Sequence, residues 1–136
     1  MGMATVKWLQ NKQFVGIDSS RHSVVLSTQD EGNAVGVKPS EMLLVALGAC
    51  TAVDVVDILG KKRTPVSSLE SEVHGEQDSD PPWAYRKIHM IYRLQGEGLT
   101  PTAVEQAIKL SEEKYCSVAA TIRGVATITW EYILEN

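Results

Sequence analysis

The sequence predicts an α+β protein built as one domain over residues 1–136, and three patterns support this prediction. Stretches of alternating polar and apolar residues near both ends are typical of half-buried strands. A long apolar segment with helix-start signals lies between them, and a shorter amphipathic helix pattern occurs later in the chain. A chain of this length can bury a core without disulfides. The predicted order is three strands, a helix, two strands, a helix and a strand.

The first three strands are predicted to form a meander. Residues 5–10 and 13–18 are separated by the Asn-Lys pair at 11–12, which suits a tight turn. Residues 23–28 come after a second polar turn and complete the meander. Residues 29–38 contain two glycines and an asparagine, so we expect a loop before the first helix.

The first helix is predicted from Ser40, as its N-cap, to Leu59. Gly60 suits a left-handed cap, and the three basic residues at 61–63 suit the negative end of the helix dipole. The twelve residues 42–53 carry no charge, so the helix is predicted to be buried on every side. A domain this small rarely encloses such a helix alone, which favours a dimer.

The second half of the chain is predicted to contain three strands and a helix. Residues 66–76 and 84–95 form two of the strands, and the alternation in the latter is typical of a half-buried antiparallel strand. Residues 125–134 alternate in the same way and form the last strand. The helix begins at Thr100-Pro101 and ends at Cys116. Its inner stripe is predicted to consist of Val104, Ala107, Ile108, Ser111 and Tyr115.

The composition excludes several classes of protein. A net charge of −4, a pI near 5.3 and scattered basic residues argue against a nucleic-acid partner. The N-terminus lacks the apolar region of a signal peptide, and the apolar residues 42–53 are too few to span a bilayer, so we expect a cytoplasmic protein without a membrane partner. The cysteines and histidines show no metal-ligand spacing, and no cofactor or metal is expected.

The two cysteines, Cys50 and Cys116, are the residues that point to chemistry. A reducing compartment would keep both thiols free, so a disulfide between them would be transient rather than structural. Each cysteine taken alone could equally be a small core residue. The three tryptophans, Trp8, Trp83 and Trp130, are expected in the core or in a pocket wall.

The segments around the cysteines resemble a known family. The stretch KPSEMLLVALGACTAVDVVDIL, with Cys50 midway along the first helix, and EKYCSVAATI, with Cys116 near the end of the second, are similar to the two cysteine motifs of the OsmC/Ohr family. The order of elements also matches over nearly the whole chain. The segments ACTAVDVV and EKYCSV most resemble those of the subgroup of OsmC-like redox proteins.

The resemblance implies a fold, an assembly and an activity. The family's fold places antiparallel sheets around a buried central cysteine helix in an intertwined homodimer. Its members reduce organic hydroperoxides and are recycled by a dithiol or a lipoylated protein. By this resemblance Cys50 is the peroxidatic cysteine and Cys116 the resolving cysteine.

The resemblance also implies an arginine from the N-terminal strands and a glutamate at the start of the cysteine helix, which together lower the thiol pKa. Arg21, the only arginine before the helix, is the candidate for the first role. Ser40 occupies the position that matches the glutamate, so Glu41, one residue later, is the candidate for the second. Asp54, one helical turn after Cys50, would raise the thiol pKa unless a cation pairs with it.

The residues are compatible with a redox function and with a binding function. A thiolate that attacks a peroxide becomes a sulfenic acid, and a second thiol protects it from further oxidation by forming a disulfide. Small residues around Cys50, such as Ala49 and Ala52, would admit a hydrophobic substrate to the sulfur. The alternative is a non-catalytic dimer that binds a small hydrophobic molecule on the same fold, with cysteines that only pack.

Overall fold

The computed structural model describes residues 2–135. It divides between Leu43 and Leu44 into two compact units. The first unit contains three strands and the start of a long helix, and the second contains the rest of that helix, a second sheet and the remaining helices. The predicted α+β class and element order are confirmed, with one short helix added before the last strand.

The first unit is built on an antiparallel meander of three strands. The strands are β1 (Ala4–Gln10), β2 (Gln13–Asp18) and β3 (Ser23–Ser27), in that spatial order. Asn11 adopts a φ of 47° in the tight turn between β1 and β2, a conformation that asparagine tolerates better than most residues. Every residue of β1 is exposed in the single chain.

The long helix, α1 (Pro39–Lys61), begins in the first unit and continues into the second. Proline takes the first helical position, where its missing N–H costs no hydrogen bond, so Ser40 lies inside the helix rather than at the N-cap. The cap predicted at Gly60 is also wrong, because the helix continues through Lys61 and Arg63 carries the positive φ of 63°. The chain turns away there through a hydrogen bond from the Arg63 N–H to the Gly60 carbonyl.

The helix α1 is longer than the sequence predicted, and in the single chain only one of its faces is buried. Its 23 residues are long and apolar enough to span a membrane by length and composition, which the shorter uncharged run 42–53 did not suggest. The core helix of a soluble protein passes the same test. One face carries the buried residues Leu47, Gly48, Thr51, Val55 and Leu59. The opposite face is exposed in the single chain at Leu43, Val45, Val53 and Val56.

The second unit contains a three-stranded mixed sheet. Its strands are β4 (Ser68–Gln77), β5 (Tyr85–Gln95) and β6 (Thr127–Leu134), with β5 in the middle. The pair β4 and β5 is antiparallel, whereas β5 and β6 are parallel, which corrects the prediction of antiparallel sheets throughout. A parallel arrangement is possible because helices connect β5 to β6 and return the chain to the same end of the sheet.

Two α-helices and a wide turn connect β5 to β6. Helix α2 (Pro101–Leu110) begins at the N-cap Thr100, whose side chain accepts a hydrogen bond from the Ala103 N–H. A π-helical turn (Ser111–Tyr115) comes next, and the short helix α3 (Ser117–Ile122) comes after it. The prediction that Tyr115 lies in the inner stripe is wrong. The wider turn carries Tyr115 out to 54% exposure.

The core of the second unit lies between α1, the inner face of the sheet and the connecting helices. It contains alternate residues of β5, the buried stripe of α2 and part of α3, namely Ile88, Met90, Tyr92, Leu94, Val104, Ala107, Ile108, Ala119 and Ile122. Cys116 belongs to this core, and Cys50 and Trp130 pack against it. The predicted burial of Trp8 and Trp83 is wrong, since both are more than half exposed in the single chain.

Candidate functional site

Cys50 lies at the middle of α1, among small residues of the helix such as Gly48, Ala49 and Ala52. Its side chain is half-buried and packs against the core. Two residues earlier, Gly48 faces β4, where a Cβ would lie 3.1 Å from Cγ2 of Val73. The helix and the strand therefore approach each other more closely than a larger side chain would allow. This close approach holds the Cys50 segment against the sheet.

Cys116 lies at the junction between the π-turn and α3, and its side chain has a structural task there. Its backbone is extended, with φ −77° and ψ 109°, and it is the N-cap of α3. The Sγ atom accepts a hydrogen bond from the Ala119 N–H at 3.3 Å. The Cys116 N–H donates to the Ser111 carbonyl at 2.9 Å, closing the wide turn. Cys116 is 3% exposed, so this thiol is buried and held in a defined position.

The structure brings the two cysteines together although they are far apart in the sequence. Burial, and next the interaction with the neighbouring Cys50 thiol, raise the pKa of Cys116 to about 11. Cys116 is therefore a protonated thiol at neutral pH. Both cysteines are free, so the pair is in its dithiol form.

Arg21 and Glu41, the other two predicted site residues, lie in the first unit. Arg21 occupies the turn between β2 and β3 with a φ of 68°, and its N–H donates to the Asp18 carbonyl. Glu41 lies in the first turn of α1 and forms an exposed ion pair with Lys38 at 3.4 Å. Their roles at the Cys50 thiol remain predictions.

Asp54 has a partner in the structure, and the partner is a hydroxyl group rather than a cation. The Ser111 Oγ donates to Asp54 Oδ2 at 2.8 Å, and it also lies 3.3 Å from the Thr51 carbonyl. Ser111 is fully buried, so these contacts connect α1 to the π-turn beside the thiols. The Thr51 side chain in turn donates to the Leu47 carbonyl at 3.1 Å.

Glu112 and Tyr92 are site residues that the sequence analysis missed. Glu112 lies in the π-turn and is buried, with 5% of its surface exposed. The fully buried Tyr92 hydroxyl donates to Glu112 Oε1 at 2.8 Å. Burial raises the pKa of Glu112, although the Tyr92 hydrogen bond and the charge of Arg123 lower it. The signal for Glu112 was its helical spacing, because it continues the line of Val104 and Ile108 at intervals of four.

The pKa of Tyr92 is also raised. Burial is the largest cause, then the charge of Glu112, and the Cys116 sulfur contributes as well. The Thr51 side chain acts in the opposite direction. The Tyr92 hydroxyl therefore lies between the Glu112 carboxylate, to which it donates, and the Met90 sulfur at 3.7 Å, and it is close enough to Cys116 for a charge on that sulfur to affect its pKa.

The histidines lie elsewhere. On the sheet, His89 Nδ1 is 2.7 Å from Thr129 Oγ1, and His74 is paired with Glu72 at 3.8 Å. Within residues 2–135, no three histidine, cysteine or carboxylate side chains are placed to hold a metal ion. The chemistry of the described site is that of two thiols, a phenol and a carboxylic acid.

Known proteins are similar to this chain over most of its length. A family model described as OsmC-like protein matches residues 29–131, a range that contains both cysteines. Protein YhfA of Escherichia coli strain K12 is 37% identical over 131 residues, which are 95% of this chain and 95% of YhfA.

Two solved structures share the fold. The OsmC-like protein from Mycoplasma pneumoniae has a TM-score of 0.87 at 18% identity, covering 100% of this chain and 98% of that one. The organic hydroperoxide resistance protein OhrB of Bacillus subtilis has a TM-score of 0.66 at 12% identity, covering 98% of each chain. At such identities the likeness extends to the fold alone.

Proposed function

The chain belongs to the OsmC-like family, and from that premise we propose that it is a thiol-dependent peroxidase that reduces organic hydroperoxides to alcohols. The observation that carries the proposal is the interaction of Cys50 with Cys116 inside the second unit. A pair of free thiols in contact can store two electrons and return to the dithiol when a reductant is supplied. OhrB, which shares the fold, is named an organic hydroperoxide resistance protein, and this name supports organic hydroperoxides as the substrate class.

In the proposed cycle, Cys50 is the peroxidatic residue. Its thiolate attacks one peroxide oxygen, so that an S–O bond forms while the O–O bond breaks. The alkoxide leaves and takes a proton to become the alcohol. Cys50 is the more exposed of the two thiols and can meet a substrate, whereas Cys116 is buried.

Cys116 is the proposed resolving residue. Its sulfur attacks the sulfenic sulfur of Cys50, an S–S bond forms, the S–O bond breaks and water leaves. A dithiol, either small or carried by a lipoylated protein, then reduces the disulfide and is itself oxidised to a disulfide. Arg21 and Glu41 keep their proposed role of supporting the Cys50 thiolate, and the proposed location is the cytoplasm.

A homodimer is part of the same proposal. The exposed face of α1 carries Val45, Val53 and Val56. Apolar residues that are exposed together along one helix mark a surface that another molecule covers. A second copy of the chain would bury this face. The resulting enclosure would exclude water from the peroxide and favour organic over inorganic peroxides.

The test is a hydroperoxide consumption assay. Reduced protein with excess dithiothreitol should consume cumene hydroperoxide catalytically and hydrogen peroxide more slowly. The Cys50→Ser/Cys116→Ser double variant is the matched control and should show only the background reaction of the dithiol. Consumption at the control rate by the native protein would contradict the proposal.

One observation favours the alternative, a non-catalytic binding protein. A groove of about 550 Å³ runs along α1 between Ala49, Ala52, Val53, Val56 and Leu69. Its lining is mostly apolar and would accept a small hydrophobic molecule. Saturable binding of such a molecule by protein that leaves both thiols free after peroxide treatment would establish this second function.

A further inference from the structure

Glu112 is a buried carboxylate for which the proposed cycle has no use. It is 5% exposed and comes one residue after Ser111, whose carbonyl accepts the Cys116 N–H bond that closes the wide turn. Burying a carboxylate costs stability unless its environment compensates. A glutamine would accept the same Tyr92 hydrogen bond without a charge, so the hydrogen bond alone does not explain an ionisable group here.

The surroundings of Glu112 connect it to the thiols. Tyr92 donates to its Oε1 at 2.8 Å, and the side chain of Thr51, the residue after Cys50 on α1, and the charge of Cys116 both influence the Tyr92 hydroxyl. Tyr92 and Cys116 belong to the same buried core cluster, and Cys50 packs against it. The neighbouring residue Ser111 binds Asp54 on α1. Glu112, Tyr92 and the two cysteines thus form one buried cluster at the meeting of α1, β5 and the π-turn.

We propose that Glu112 is a positioning residue of the thiol site that acts through Tyr92, taking up the proton that Cys116 must lose when the disulfide forms. The proposal rests on the proposed function for its sulfenic acid intermediate. It assigns a task to the one buried carboxylate of the cluster and to the tyrosine that joins it to the sulfur.

The proton transfers balance. As the Cys116 sulfur forms the S–S bond to Cys50, its proton passes to the Tyr92 oxygen while Tyr92 gives its own proton to the Glu112 carboxylate. The Cys50 S–O bond breaks and hydroxide leaves. Glu112 then gives the proton back through Tyr92 to the hydroxide, which becomes water, and the carboxylate is restored. One thiol and one sulfenic acid have become a disulfide and water, with no other reactant.

The charged and titratable groups around Glu112 fix the direction of the pH dependence. On α1 these are Cys50 and Asp54, on β5 Tyr92, at the N-cap of α3 Cys116, and after α3 Arg123, whose charge favours the carboxylate. Burial raises the Glu112 pKa and outweighs the other effects. Only the carboxylate can accept a proton, so disulfide formation should slow as the pH falls through this raised pKa.

The experiment measures the two steps separately. Reduced protein is mixed with one equivalent of cumene hydroperoxide between pH 5 and 8, quenched with acid, and analysed for peroxide consumed and for the Cys50 to Cys116 disulfide. Glu112→Gln should consume peroxide at the native rate, form the disulfide about 10²-fold more slowly and lose the decline at acid pH. Sulfenic acid that dimedone can trap should accumulate. Glu113→Gln, at the exposed neighbouring residue, is the matched control and should behave as the native protein does.

Native disulfide rate and native pH profile in Glu112→Gln would overturn the proposal. If that variant does not fold, Tyr92→Phe keeps the ring and removes the hydroxyl, and the same slow disulfide step is expected. If the native protein leaves the peroxide intact, the peroxidase proposal fails. Diamide then supplies the oxidant, and the same comparison of disulfide rates decides the role of Glu112, because the second thiol must still lose its proton.

Discussion

At the scale of single residues, the two cysteines differ in exposure and in backbone setting. Cys50 is half-buried within a regular helix, whereas Cys116 is 3% exposed and caps a helix through its sulfur. A disulfide between them would remove the Cys116 cap hydrogen bond or reshape it. We therefore expect the α3 start to be the part of the site that adjusts during the cycle.

The first prediction separates the roles of the two thiols. Cys50→Ser should abolish the reaction with cumene hydroperoxide, because no other described thiol is exposed to substrate. Cys116→Ser should consume about one equivalent per chain, stop at a sulfenic acid and overoxidise in excess peroxide. Peptide mass spectrometry after dimedone treatment checks both outcomes. Continued turnover by both single variants would refute the assigned roles.

The second prediction concerns the protonation of Cys116. Burial raises its pKa to about 11, so alkylation by iodoacetamide at this residue should be slow at pH 8 and should reach half its limiting rate near pH 11. The same raised pKa means that the protonated thiol stabilises the fold at neutral pH. As the pH rises, Cys116 ionises in the unfolded chain before it ionises in the folded one. This contribution to stability therefore falls between the ordinary pKa of cysteine and about pH 11. Mass spectrometry of the Cys116 peptide measures the alkylated fraction at each pH in native and in unfolded protein. The same midpoint pH in both would contradict the prediction.

The third prediction tests Arg21. If its guanidinium supports the Cys50 thiolate, Arg21→Ala should slow alkylation of Cys50 at neutral pH, because only the thiolate reacts. Arg86→Ala is the control. Arg86 forms an ion pair with Asp78 at 3.0 Å and has no role in the proposed site. Identical Cys50 alkylation profiles for the two variants would return Arg21 to the role of a turn residue.

At the scale of secondary structure, the hydrophobic period predicted most elements and failed where the pairing or turn type mattered. The alternation of β5 gave its buried residues Ile88, Met90 and Leu94 correctly. The same period of two occurs in parallel and antiparallel strands, so it could not show that β6 is parallel to β5. The sequence also could not predict which face of α1 is exposed in the single chain. A helix segment without charged residues has no polar face, so its composition does not show which side packs against the rest of the chain.

The π-turn explains why the candidate site was predicted only in part. The two cysteines were identified from their contexts, but α2 was extended without a break to Cys116. A five-residue turn changes the angular position of the residues after its start, so Tyr115 moved outward, whereas Glu112 keeps the α-helical spacing of Val104 and Ile108 and stays inside. No residue type marks such a turn in a single sequence. Glu112 and Tyr92 were missed, although each lies in an element whose existence was predicted.

The fourth prediction addresses the link between the π-turn and α1. Ser111 is fully buried and donates to Asp54 at 2.8 Å, so Ser111→Ala should leave the carboxylate without this donor. We expect a loss of roughly 1–3 kcal/mol in the free energy of unfolding by urea. Thr121→Ala, at an exposed position of α3, should change it by less than about 0.5 kcal/mol. Equal effects of the two substitutions would mean that the Ser111 contact contributes no more than a surface contact.

At the scale of the whole molecule, the fifth prediction is that the chain is an obligate dimer. Sedimentation should show one species of twice the 14.9 kDa chain mass. Val53 is 67% exposed in the single chain, and Val53→Lys should dissociate or unfold the dimer by placing a charge in an apolar interface. Val125→Lys, at a residue 59% exposed outside α1, should leave the dimer intact. A stable folded monomer of the native chain at micromolar concentration would contradict the prediction.

The parallel pairing of β5 with β6 also constrains how the molecule is made. Synthesis proceeds from the N-terminus, so the eight residues of β6 leave the ribosome after β5 and after both cysteines. Until then β5 has an open edge, with unpaired backbone groups beside its apolar residues. Such a late, non-local pairing also folds slowly. The nascent chain therefore carries both cysteines before it has the sheet that buries Cys116, and we expect newly made protein to depend on the reducing power of the cell until its last strand is in place.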